Sequence, residues 1–157
     1  LTTVRSELEN IKAYVRIQQL THDNGFDAEY DIEESQLDYR MLNFMLQPIV
    51  ENSVLHGFKG QEQQGRILLY GDIEDDALKL FVEDNGTGLS PEAEEQLNKP
   101  RGKVTGIGIN NVNDRIRSSY GEKFGIRVYN GTEGGTIAEY TLPVIREEDK
   151  DADNSGC

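Results

Sequence analysis

Two short turns do most to limit the architectures open to this chain. Glu74-Asp75-Asp76 separates strand-like stretches near 65–73 and 77–84, and Gly131-Thr-Glu-Gly-Gly135 separates two more near 125–130 and 135–142. With so few residues between them, a hairpin is the simplest connection for each pair. Helical patterns lie before and between these pairs. Val4, Leu8, Ile11 and Val15 recur at spacings of 4, 3 and 4, which predicts an amphipathic helix over 3–20. The turn 22–25 leads to a short alternating strand, Phe26 to Ile32. Residues 41–56 read as one apolar helix ended by Gly57, in which Pro48 must be a first-turn residue or a kink. A short helix is expected after Pro91, and Ile109, Val112 and Ile116 form the stripe of another near 108–120. The order is helix, strand, helix, two strands, glycine-rich loop, helix, two strands. It predicts an α+β fold, a two-layer α/β sandwich with a mixed sheet of about five strands and helices on one face.

At 157 residues the chain is the size of one domain. Its 29 acidic residues against 16 Lys and Arg leave a formal charge of −13, a field that repels phosphate and argues against nucleic acid or an anionic membrane surface as partner. Apolar runs such as Ile67-Leu68-Leu69-Tyr70 are far shorter than the ~18 residues of a membrane span. The single cysteine, Cys157, ends a polar segment and has no intrachain partner, which fits a reducing, cytoplasmic setting.

Four patches carry chemistry. Glu51-Asn52 interrupts the apolar stretch; the Asn amide is either a buried hydrogen-bonding group or a hard-metal ligand. Asp84-Asn85-Gly86-Thr87-Gly88 follows the second strand of the first hairpin, which puts a carboxylate at a sheet rim where it can accept from an amino group such as that of adenine. Gly106-Ile-Gly108-Ile-Asn110-Asn111 opens a helix whose free N–H groups suit phosphate. It has neither the Rossmann context nor a Walker lysine. Gly134-Gly135-Thr136 enters the last strand, and a plain hairpin turn accounts for it.

The order and separations of these patches are more specific than the patches themselves: 32 residues from Asn52 to Asp84, 22 from Asp84 to Gly106, and 30 from Gly106 to Thr136. Together they resemble the N box and three glycine boxes of the GHKL superfamily of histidine kinases, gyrase, MutL and the ninety-kilodalton heat-shock chaperone. Leu46-Gln-Pro-Ile-Val-Glu-Asn-Ser-Val-Leu-His-Gly57, the segment Gly106 to Gly121 and the entry segment Glu7 to Gln18 are similar to LytS/YesM-type sensor histidine kinases. The resemblance runs from about Val4 to Pro143 and implies a Bergerat-type ATP site. On it, Asn52 would bind Mg²⁺, with Glu51 beside it in the candidate catalytic pair. Asp84 would take the adenine amino group, supported through water by Thr136. Gly86 and Gly88 would shape the adenine end, and Gly106, Gly108 and Asn111 would cradle phosphate. Residues 89–105 would form a lid with Lys99, Arg101 and Lys103 as its cations.

The same resemblance divides the chain into an N-terminal helix, 1–22, continuing from an upstream histidine-bearing dimerisation region; a kinase catalytic domain, 23–145; and a polar tail, 146–157, expected to be disordered. Neither His22 nor His56 resembles the family's phosphoacceptor, so the acceptor is expected on an upstream domain of the same protein, with a response regulator downstream. The parent is expected to be membrane-anchored and dimeric, this domain lying in the cytoplasm. Hydrolytic branches of the superfamily place a general-base glutamate four residues before the metal Asn; here that residue is Pro48, which cannot activate water. Glu51 points about 100° away around the helix and is a poor substitute. Leu55 stands where related kinases often have lysine, the one feature favouring a nucleotide-binding module without transfer.

Overall fold

The computed structural model describes residues 1–21, 25–60, 62–97 and 107–149. The expected five-stranded sheet forms from β2 (Phe26–Asp31), β4 (Gly65–Glu74), β5 (Ala77–Asp84), β6 (Gly125–Asn130) and β7 (Thr136–Pro143) in the order β2-β4-β5-β7-β6. β2 and β4 are parallel; the other neighbours are antiparallel, so the sheet is mixed. Both hairpins form. In the first, Asp75 and Asp76 have φ of 51° and 60°, the left-handed pair that matches a two-residue turn to the twist of its strands and that aspartate tolerates better than most residues. A separate two-stranded ribbon pairs β1 (Thr2–Thr3) with β3 (Arg40–Met41).

Helices α1 (Val4–Thr21), α2 (Gln47–Asn52) and α4 (Ile107–Tyr120) cover one face of the sheet, and α3 (Pro91–Leu97) follows the first glycine-rich loop. The stripe Val4, Leu8, Ile11 and Val15 is buried as expected, and it joins one core with Leu78, Leu80 and Val82 of β5 and Ala138, Tyr140 and Leu142 of β7. Full burial of each such aliphatic side chain contributes roughly 1.5–3 kcal/mol, so α1 is integral to this core. Strict alternation along β5 sends Leu78, Leu80, Val82 and Asp84 inward, and Lys79, Phe81 and Glu83 to the open face. There Tyr70 and Phe81 stack at 4.6 Å between ring centres, and Lys79 bonds Glu139 at 3.1 Å and Thr141 at 2.8 Å.

The apolar stretch 41–56 is not one helix. Met41 belongs to β3, residues 43–46 turn, α2 starts at Gln47, and Ser53–Gly57 form a wider π-helical turn. Proline is the reason. A helix running from Met41 would need the missing Pro48 N–H and would drive the ring into the carbonyl four residues back; Pro48 lies in the first turn, where neither matters. At the C-terminal end, Arg40 bonds Glu147 at 2.7 Å, Arg146 stacks over Tyr39, and Asp149 accepts from the Arg146 N–H. The turn residues 22–24 and the rest of the tail, 150–157, lie outside the described residues.

Six tyrosine hydroxyls, of Tyr14, Tyr30, Tyr70, Tyr120, Tyr129 and Tyr140, have raised pKa values, chiefly through burial. Tyr70 is pushed up to about 12 by burial and then by Glu83. Its neutral phenol is thus favoured by folding, a contribution fully present below the unfolded value near 10 and lost as pH rises through 12. Denaturant titrations between pH 8 and 11.5 should show stability flat to about pH 9 and falling above 10, with a shallower fall in Tyr70→Phe.

Candidate functional site

The site is organised by a carboxylate. Asp84 is the last residue of β5, 8% exposed, and lies between Ile67 of β4 and Thr136 of β7 in register. Its Oδ1 accepts the N–H groups of Gly86 at 2.9 Å and Thr136 at 3.2 Å, and its Oδ2 accepts the Ser53 hydroxyl at 2.6 Å. A carboxylate offers about four acceptor positions. Three are filled by the protein, which orients the group and leaves Oδ2 able to accept a donor from a ligand. Ser53, buried beside Asn52, has no assigned role in the sequence reading. Its signal there is only its place next to Asn52, since nothing local shows which strand the helix will meet.

Glycines let the elements touch. The Thr87 N–H donates to the Gly57 carbonyl at 2.9 Å, joining the loop after β5 to the end of the π-helical turn. A β-carbon on Gly86 would overlap that same carbonyl, and one on Gly135 would overlap the Asp84 carbonyl. Gly88, at φ 77°, faces the Asn130 side chain, whose Oδ1 accepts the Leu89 N–H at 2.7 Å and whose amide donates to the Leu89 carbonyl and to Glu94. Asn130, at the end of β6, therefore pins the first residue of the segment expected to be the lid. Sequence reasoning missed it as well. Asn85 bonds the Arg66 N–H at 2.6 Å and the Gln64 carbonyl at 3.0 Å, extending the β4–β5 ladder past its last pair.

Asn52 closes α2, one residue before Ser53, and is half-buried. Among the described residues its side chain makes no hydrogen bond, so its amide oxygen is available as a hard-metal donor. Magnesium commonly takes only one or two protein oxygens and completes its octahedron with water and substrate phosphate, and a single amide oxygen fits that pattern. Glu51 instead accepts from Gln47 at 3.1 Å along the same helix. Leu55 is 49% exposed and His56 is exposed. Gly108 lies in the first turn of α4 and Asn111 on its exposed side, while the Asn113 oxygen takes the Ile126 N–H at 3.0 Å and ties α4 to β6. Lys103, Gly106 and the other expected lid cations, Lys99 and Arg101, lie outside the described residues.

The Ser53–Asp84 bond thus joins the end of the α2 segment, which carries Asn52, to the end of β5. Residues 37–146 match the family described as histidine kinase-, DNA gyrase B- and HSP90-like ATPase, and the chain belongs to that family. It is 27% identical over 148 residues to the sensor protein LytS of Enterococcus faecalis, covering 92% of this chain and 25% of the relative. It is 26% identical over 153 residues to the sensor histidine kinase/phosphatase LytS of Staphylococcus aureus, covering 94% and 26%. The chain thus spans about a quarter of the length of the curated relatives it matches. Its fold is that of the histidine kinase domain of an Erythrobacter litoralis EL346 blue-light activated kinase, at TM-score 0.62 and 15% identity over 90% of this chain and 61% of that one. It is equally that of the nucleotide-free catalytic domain of histidine kinase ThkA, at TM-score 0.62 and 15% identity over 92% of both chains.

The glycine contacts make a direct prediction. Gly86→Ala should separate the loop from the Gly57 carbonyl and cost about 1–3 kcal/mol in urea titrations. Gly25→Ala, with no atom of the described residues within 4 Å of the added carbon, should change stability by less than about 0.5 kcal/mol.

Proposed function

We propose that this chain is the catalytic and ATP-binding domain of a sensor histidine kinase, binding Mg-ATP and transferring the γ-phosphoryl group to a histidine outside the chain. The observation that supports this reading is the Ser53–Asp84 bond, which joins the element carrying Asn52 to the strand carrying Asp84. Asp84 accepts the adenine amino group on the Oδ2 position the protein leaves open. Thr136 supports it through the backbone N–H that orients the carboxylate, and Gly86 and Gly88 allow the loop its close approach. Gly108 and Asn111, in the first turns of α4, receive the phosphates, and Gly106 and Lys103 are assigned the same role. Asn52 holds Mg²⁺, which when bound neutralises charge on the phosphates.

In the transfer an imidazole nitrogen forms a bond to the γ-phosphorus as the bond to the bridging oxygen breaks, ADP leaves, and the imidazole proton passes to solvent. The acceptor is its own nucleophile, so the domain need only position the two partners and stabilise charge. That accords with Pro48 standing where a hydrolytic base would be, and with the Glu51 carboxylate engaged by Gln47. The acceptor domain of the same protein and a response regulator are the proposed partners, and the cytoplasm of a membrane-anchored parent the proposed location. Among the described residues no helix is long and apolar enough to cross a membrane. The second reading, a nucleotide-binding module without transfer, is favoured only by the half-exposed Leu55.

Asp84→Asn keeps an oxygen for the Gly86 and Thr136 N–H groups but removes the charge. Calorimetric titration should show ATP affinity reduced roughly 100-fold with the fold intact; unchanged affinity would refute the adenine assignment. Incubation with Mg-ATP and the histidine-bearing region of the parent chain should place acid-labile phosphate on that region. Its absence with ATP affinity intact selects the module without transfer.

A further inference from the structure

One buried ionisable group is used by neither the fold's hydrophobic logic nor the chemistry above. Glu7 lies on the core side of α1, 2% exposed. Its Oε2 accepts the Phe44 N–H at 3.1 Å and its Oε1 the Leu46 N–H at 3.0 Å. Leu46 is the residue from which α2 starts, so the carboxylate sits at the positive end of the helix that ends in Asn52 and takes one of its unpaired donors. The residue between, Met45, is fully buried, and its carbonyl accepts the Tyr140 hydroxyl at 2.8 Å. Phe44 has φ 57° and is 56% exposed. A bulky residue in the left-handed region is strained, and this one is held by the Glu7 bonds to its own N–H and to that of Leu46.

Burying a carboxylate is costly, and a methionine or leucine would fill the same place at no electrostatic cost. What Glu7 adds is direction: its two bonds fix the height and rotation of α2 relative to α1. Tyr140 fixes the same turn relative to β7, the strand whose first residue, Thr136, orients Asp84. We propose that Glu7 is a positioning residue for the metal end of the site, acting through residues 44–46 to hold Asn52 at the distance from Asp84 that a bound nucleotide spans. A displacement of α1 then reaches Asn52 before it reaches Asp84. This rests on the assignment of Asn52 as the metal ligand.

The test separates metal-dependent from metal-independent binding. Calorimetric affinities of the 157-residue chain for ADP in EDTA, and for ATP with and without Mg²⁺, are compared for the wild type, Glu7→Gln, Tyr140→Phe and Asn52→Ala. Glu7→Gln keeps the shape but turns a donor toward one of the two N–H groups. Its affinity for ADP in EDTA should stay within about twofold, while the gain in ATP affinity from Mg²⁺ falls about tenfold or more, the usual effect of losing a group that orients a metal ligand. Equal losses with and without metal, or an undiminished Mg²⁺ gain, would overturn the proposal. Should Glu7→Gln not fold, Tyr140→Phe must show the same selective loss, and its absence is equally fatal. Asn52→Ala guards the premise: if it leaves the Mg²⁺ gain intact, the metal assignment itself fails. If it abolishes the gain while Glu7→Gln does not, only the positioning role fails.

Discussion

The hydrogen bond between the Ser53 hydroxyl and the Asp84 carboxylate is the contact on which the rest of this structure depends. At 2.6 Å it joins the end of the α2 segment to the end of the central strand β5. Both partners are buried, so the bond forms out of competition with water and its loss would leave a carboxylate short of a donor in the interior. Around it the Gly86 and Thr136 N–H groups complete the shell, and the loop after β5 closes onto the Gly57 carbonyl. The strand end, two loops and a helix meet at one charged group, and the only way the backbones come close enough is through glycine at 86 and 135.

The scaffold behind that point is asymmetric. One face of the sheet is sealed by α1, α2 and α4 against a continuous apolar core. The other carries the Tyr70–Phe81 stack and the Lys79–Glu139 pair and remains open. Asp84 and Ser53 lie at the rim of the sealed face, on elements that also contribute Val82 and Val54 to the core. The expected lid departs from Leu89, pinned by Asn130. The acidic surplus is placed elsewhere: Asp27, Glu29 and Asp31 point outward along the edge strand β2, where like charges also discourage pairing with another strand.

Regular elements were legible because their signals are local. The Val4, Leu8, Ile11, Val15 stripe, the alternation in β5 and the two turns each lie within one segment, and all four formed as expected. The stretch 41–56 reads as one helix because its apolar pattern persists across the turn between β3 and α2. A turn with Phe44 at positive φ, a two-residue strand and a π-helical turn all show the same hydrophobic residues that a helix would. The burial of Glu7 is likewise not legible, since helical spacing places it at the margin of the stripe and only the fold brings two N–H groups to it.

The sequence by itself determined the five main strands and their hairpins, the mixed sheet and the family. Those follow from periodicity, turn chemistry and the spacing of four short motifs. Tertiary structure alone decided which groups hold the candidate residues in place: Ser53 and the Thr136 N–H on Asp84, Asn130 on the lid root, Glu7 and Tyr140 on the turn before α2. The physical reason is separation along the chain. Those partners stand 31 to 95 residues apart, and a hydrogen bond between distant residues leaves no period or composition in either segment from which it can be read.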